Sequence, residues 1–566
     1  MLDDDSLLQI FSCYRLEDED NWNLRLMWRM LAHVCRRWRR LISNSWSHLD
    51  MCLRLTNGSP SFNTLSHLPP LPLVIYYSVR TRIITRKDEN NIRFGLQQRG
   101  RVHRVTLQAP SSSLRMWIKP LNKLFPRLED LYLTSATTEA TSPVLPETLR
   151  APDLRRLSLH GIGLPKESPI LFSMIALSIL SLTHIGISCY FPPGHLVAQL
   201  QGLPHLEELS IGFAVPIPLP SREEELLPTP IPPVTLPSLR RLTFRGVGVY
   251  LDNFVAQINT LLLEQLNLTL FFELAFSLEN LAEFIHRTEG FGCLVARIIF
   301  NKDGACIDTE QRVLEKFILR INCEPFDWQI DSAAQVCSAL WKVLPSVEEL
   351  TVDLDVDGMP SDWKNTLDDT LWHDLLLPFT GVKKLRIGSS LTFELSQALD
   401  SVAGGLVLEL LPELQALEIE LEMDQAKTAF SVFIETRESV GRPIHLLVSP
   451  LVPRTNPGTR YTRQFWDPPL DYIIRSSSVV VPQERRIPEP REEPSAPRAL
   501  TVRRAGNDEE TPPKREYRRG HNTHENKRRL HENPQRRANE NWRYQQESRA
   551  SRINARISQP GGKIAI

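Results

Sequence analysis

A seven-residue motif recurs six times along this chain and constrains its fold more than any bulk property does. Its members are FPRLEDL (125–131), APDLRRL (151–157), LPHLEEL (203–209), LPSLRRL (236–242), LPSVEEL (344–350) and LPELQAL (411–417). Each sets Pro second, an aliphatic residue fourth and Leu seventh. With 43 Pro in 566 residues, chance supplies about one such match, so six mark a repeated structural unit. Weaker members begin at Val102, Leu177, Leu263, Val295 and Val382. Successive starts lie about 23 to 35 residues apart, with one gap of about 52 before Val347 in which Phe326 to Ile330 reads as a strand. Amphipathic stretches fall between the motifs, at Gly194 to Leu203, Tyr250 to Leu263, Gln311 to Leu319, Ala333 to Leu344 and Gln425 to Glu438. A short strand followed by a helix is the expected unit, as in a leucine-rich-repeat solenoid.

Alternation along a strand sorts each motif into two faces. In LEDLYL, Leu128, Leu131 and Leu133 point into a core, and Asp130 and Tyr132 point away from it. Burying one anchor leucine contributes about 1.5 to 3 kcal/mol, so these positions serve stability. Recognition falls to the outward, concave positions: Tyr132, Arg156, His160, Arg241, Arg245, Arg297 and Arg386. The early half of that surface leans basic and the last third is mixed to acidic. It reads either as a solvated face or as one that selects a partner by charge.

The N-terminus is different in kind. In LMWRMLAHVCRRWRRLI (26–42) the apolar residues Met27, Leu31, Val34, Trp38 and Leu41 recur at helical spacing, with Trp28, Cys35 and Ile42 as a second line. So broad an apolar helix surface on so short a segment points to docking. The opening LDDDSLLQIF, followed by HVCRRWRRLISNSWSHLDMCLRL, resembles an F-box, and WRMLAHVCRRWRRL with LTNGSPSFNTLSHLPPLPLVI is similar to a group of fungal F-box proteins. The resemblance spans roughly residues 1 to 77; Asp3 stands where the family usually has Pro. It implies that Leu2, Leu7, Leu8, Ile10, Phe11, Leu31, Val34, Cys35, Trp38 and Leu41 contact a Skp-type adaptor. A cullin ligase assembled on that adaptor would then ubiquitinate an unidentified target held by the repeats. The alternative is an interaction scaffold with a degenerate motif and no ligase role.

Net charge is only −1, yet residues 482–566 carry 20 Lys plus Arg against 12 Asp plus Glu, so the remainder is acidic. This tail is poor in large aliphatics and is expected to be disordered. Lys514 and Arg515 precede Lys527, Arg528 and Arg529 at a spacing that resembles a bipartite nuclear-import signal. Nucleic acid is an unlikely partner because the tail's acidic residues interrupt its basic field. Val215 to Pro237, with eight prolines, reads as an extended loop.

The eight cysteines are scattered, with no CxxC pair, and no His/Cys cluster has zinc-ligand spacing, so no metal or cofactor is expected. Phosphate-loop, GxSxG, HExxH and strand-linked GxGxxG motifs are absent, which argues against an enzyme. No apolar run is long enough to span a membrane. The expectation is therefore a cytoplasmic or nuclear α+β multidomain chain. It comprises an all-α F-box-like motif (1–60), an irregular α/β leucine-rich-repeat solenoid (61–450, Pro-rich loop 215–237), a linker (451–481) and a disordered basic tail (482–566).

Overall fold

The computed structural model describes residues 2–13, 31, 33–45, 52–57, 59, 71–78, 83–136, 142–165, 170–216, 233–288, 293–310, 316–356, 359, 369–401, 410–420 and 423–448. The linker, the tail with its import candidates Lys514, Arg515, Lys527, Arg528 and Arg529, and most of the Pro-rich loop lie outside them.

Sixteen strands form one sheet. From one edge run β1 (Leu53–Thr56), β2 (Leu73–Ser78), β3 (Val102–Ala109), β4 (Asp130–Ser135), β5 (Arg156–His160), β6 (Ile179–Ile185) and β7 (Glu208–Phe213), each parallel to the next. β8 (Val234–Leu236) leaves the sheet, and β9 (Arg241–Gly246) takes the place beside β7. β10 (Ile258–Thr260) pairs with β8, and β11 (Gln265–Phe271) rejoins the large sheet next to β9.

The regular progression then breaks. β12 (Val295–Asn301), β13 (Gly304–Glu310) and β14 (Lys316–Asn322) form an antiparallel meander laid in reverse, with β14 parallel to β11 and β12 parallel to β15 (Glu349–Leu354). The turn between β12 and β13 shows why. Asn301 Oδ1 accepts the Asp303 and Gly304 amides at 2.9 and 3.1 Å, and Gly304 has φ +151°, where a Cβ would overlap the Ile321 carbonyl. Parallel order resumes through β16 (Lys384–Ile387), β17 (Ala416–Ile419) and β18 (His445–Val448).

Twelve α-helices occur among the described residues. Those used below are α1 (Asp4–Cys13), α2 (Arg36–Asn44), α3 (Arg86–Gln97), α4 (Ser111–Trp117), α5 (Pro193–Leu200), α6 (Gly248–Val255), α7 (Glu279–Arg287) and α8 (Phe326–Ala339). α3 starts where Thr85 and Asp88 exchange a capping box. The core is built by register. Leu55, Ile75, Val105, Leu131, Leu157, Leu180, Leu209, Leu242 and Leu266 stand side by side on nine successive strands, all buried.

The expected α+β multidomain class, with an all-α motif ahead of a leucine-rich-repeat solenoid, is corrected by this architecture. Strands alternate with crossover segments in one large mixed sheet, which is an α/β fold. The sheet already begins at Leu53, and Leu7, Phe11 and Ile42 belong to the same apolar cluster as the strands. Two local expectations also change. Phe326 to Ile330 opens helix α8, because Pro325 precedes it as N-cap and the Gln329 amide reaches the Asn301, Cys323 and Glu324 carbonyls. Of Gln311 to Leu319, the described part from Lys316 is strand.

Candidate functional site

Two surfaces gather the residues singled out in the sequence. The first is the α1/α2 pair. Asp3 Oδ1 accepts the Ser6 amide at 2.7 Å, which starts α1 and, with the Ser6 backbone bond as the leading cause, lowers the Asp3 carboxyl below its usual range. Asp4 and Asp5 occupy the first turn, where negative charge suits the helix dipole. α2 starts at Cys35, whose Sγ accepts the Trp38 amide at 3.4 Å.

The two helices meet through Phe11 and Trp38, edge to face at 4.8 Å between centroids. Arg37 ties them again, with Nε and Nη2 on Asp4 Oδ1 at 3.0 and 2.6 Å and Nη2 on the Leu2 carbonyl at 2.7 Å. Of the ten adaptor candidates, Leu7 and Phe11 are buried, and Leu8, Leu31, Trp38 and Leu41 are half-buried against the same cluster. Cys35 is exposed, and Leu2, Ile10 and Val34 are exposed by 53%, 40% and 61%. Arg36, Arg39 and Arg40 of α2 are exposed as well. The pair thus anchors inward and leaves Leu2, Ile10 and Val34, with Arg36, Arg39 and Arg40, exposed to solvent.

The second surface is the outward face of the sheet. Its first row is ionic. Asp130, only 3% exposed, lies in register between Arg104 on β3 and Arg156 on β5. Arg104 Nε reaches Oδ2 at 2.7 Å, and Arg156 holds Oδ1 and Oδ2 at 2.6 and 2.9 Å. Arg241 pairs with Glu208, and Arg386 bonds Glu420 at 2.8 Å with Glu418 nearby. Arg245 lies over the Phe271 ring, 5.6 Å from its centroid. His160 bonds Thr183 Oγ1 at 3.1 Å through Nδ1 and stacks on His184 at 5.0 Å. Arg297 is exposed opposite Thr351, and Tyr132 is half-buried.

Between the charged row and the strand ends runs a row of hydroxyl-bearing side chains in register: Thr106, Tyr132, Ser158, Ser181, Ser210 and Thr243. Most candidate cations on this face are therefore held by neighbours on the sheet, which fixes them in place. Arg104, Thr269 and Arg320 were not singled out from the sequence. The alternation rule applied to β3 and β11 would have found the first two. Arg320 lies one residue past the stretch Gln311 to Leu319 that reads as amphipathic, on the strand Lys316–Asn322.

Away from both surfaces, the buried Glu273 carboxylate accepts the Gly248 amide at the start of α6. Burial pushes its pKa up to about 7, against the opposing effect of that hydrogen bond. Burial also raises Cys337 to about 12, which leaves a thiol without nucleophilic character. Among the described residues no group of three or more His, Cys, Asp or Glu is arranged to hold a metal, and no helix is long and apolar enough to cross a membrane. No family model and no curated protein matches the chain.

Proposed function

We propose that the chain is the substrate-recognition subunit of a Skp/cullin/F-box ubiquitin ligase, acting in the cytoplasm or nucleus. The observation that carries this reading is the α1/α2 pair, anchored by Leu7, Phe11 and Ile42 while Leu2, Ile10 and Val34 face outward. Exposed apolar side chains on a braced helix pair suit a partner groove. The target would lie on the outward face of the sheet, where fixed ion pairs and a hydroxyl row present a preorganised polar surface. The chemistry belongs to the ligase: the receptor raises the target's effective concentration at the ubiquitin carrier and makes no bond itself.

Co-expression with a Skp-type adaptor tests this. The full chain should co-purify with the adaptor, and Val34→Asp should not. The second reading, a scaffold without a ligase role, draws on Leu7 and Phe11 facing the core, since two of the ten adaptor candidates are thereby used for packing. It is favoured if the adaptor fails to co-purify with either form.

A further inference from the structure

Helix α2 runs against two electrostatic rules at once. Its first turn carries Arg36 and Arg37 and no acidic residue, although the helix dipole favours negative charge there. Arg36 and Arg40, four residues apart, then place like charges on one face. Both are exposed. On the other side of the helix Trp38 and Leu41 are half-buried and Ile42 is buried, so packing claims one half of α2 and arginine the other. Asp4 neutralises Arg37, whereas Arg36 and Arg40 have no carboxylate partner among the described residues. Each arrangement costs the helix stability, and such local conflicts belong to functional surfaces.

We infer that Arg36 and Arg40 form a charged docking face for an acidic protein surface, and that this surface belongs to the adaptor. The assignment to the adaptor rests on the receptor reading. Leu2, Ile10 and Val34 then hold the adaptor, and the two guanidinium groups steer it into place.

The start of α1 decides the class of partner. Asp3, Asp4 and Asp5 are exposed, and the Arg37–Asp4 pair brings that turn against α2. A continuous polyanion, such as a nucleic-acid strand or an anionic membrane, sets its phosphates against these carboxylates. Separate carboxylate side chains on a folded partner meet the guanidinium groups and avoid the repulsion. Each guanidinium also takes a carboxylate through two parallel hydrogen bonds, which adds orientation to attraction.

The test measures association and dissociation rates of the full chain with purified Skp-type adaptor. Ionic strength is set at about 0.01 M and about 0.15 M, between which the screening length falls from about 30 Å to about 8 Å. The native chain should associate about tenfold or more faster at the lower value. A variant carrying Arg36→Gln and Arg40→Gln should lose that advantage and keep its dissociation rate within about twofold. Its melting temperature should hold or rise, because the like-charge pair is gone, whereas a misfolded variant melts lower. The control, Lys123→Gln with Arg127→Gln, removes two exposed cations elsewhere and should keep the native salt dependence.

Equal association by the arginine variant and the native chain overturns the docking face alone, and so does an equal loss in the control. The same preparations are titrated with a glutamate homopeptide, a single-stranded oligonucleotide and phosphatidylserine vesicles. Binding of the glutamate peptide that disappears with Arg36 and Arg40, in a chain that does not bind the adaptor, upholds the face and refutes the receptor reading alone. Binding of neither adaptor nor peptide overturns both. Arginine-dependent binding of the oligonucleotide or the vesicles in preference to the peptide overturns the choice of an acidic protein.

Discussion

Arg156 closes on both carboxylate oxygens of Asp130, Nε to Oδ1 at 2.6 Å and Nη2 to Oδ2 at 2.9 Å, from the next strand of the sheet and 26 residues along the chain. Arg104 completes the cluster from the opposite strand. The buried carboxylate therefore locks three successive strands on the outward face of the sheet.

Asp130→Ala leaves two adjacent guanidinium groups without their shared anion and should lower unfolding stability by about 2 to 4 kcal/mol in urea denaturation. The exposed Lys383–Glu348 pair is the control, and Glu348→Ala should cost under about 0.5 kcal/mol. Equal losses in the two variants would mean that burial does not distinguish these pairs.

Glu273 makes stability depend on pH in a direction opposite to that of most carboxylates. Its pKa rises from 4.5 in the unfolded chain to about 7 in the folded one. The folded state then binds the extra proton between these values, so its stability is greatest below 4.5 and falls as pH rises to about 7. Glu273→Gln keeps an acceptor for the Gly248 amide and removes the charge. Relative to the native chain it should gain up to about 3 kcal/mol at about pH 8 and nothing at about pH 4. Melting curves that stay parallel across that range would refute the assignment.

Gly304→Ala should destabilise the β12–β13 turn, because φ of +151° is closed to a Cβ that would also strike the Ile321 carbonyl. A loss of about 3 kcal/mol or more is expected in thermal or urea unfolding. A near-neutral substitution would mean that the turn relaxes without cost.

Arg437 is fully buried and donates to the Leu411, Pro412 and Leu414 carbonyls at 3.3, 3.4 and 3.0 Å. Burial holds its pKa below the usual range, chiefly through desolvation. Arg437→Lys cannot reach all three carbonyls with one ammonium and should lose about 2 kcal/mol or more in the same assay.

The strand positions were legible because their signal is local. Leu131, Leu157, Leu209, Leu242, Leu350 and Leu417 end the six repeated motifs, and each is buried on its own strand. Partner choice was not legible. Asp130 finds its two arginines 26 residues away on either side, and Glu208 finds Arg241 at 33, separations set by crossover length and register. The repeat pattern hides the reversal at β12–β14, because VARIIF reads as one more repeat strand, although Asn301-Lys302-Asp303-Gly304 is a hairpin signal. At the N-terminus the helical period groups the apolar residues of 26–42 into one surface. It could not say that Leu7, Phe11 and Ile42 would turn inward and leave Leu2, Ile10 and Val34 outside, since that depends on how the pair meets the sheet.

The most direct measurement is titration of the full chain with purified Skp-type adaptor, alongside Ile10→Asp and Val34→Asp, with melting temperatures recorded for all three. A receptor should bind at micromolar or tighter affinity, lose about tenfold or more in each variant, and melt unchanged. An absence of binding, or binding indifferent to both substitutions, would contradict the receptor function.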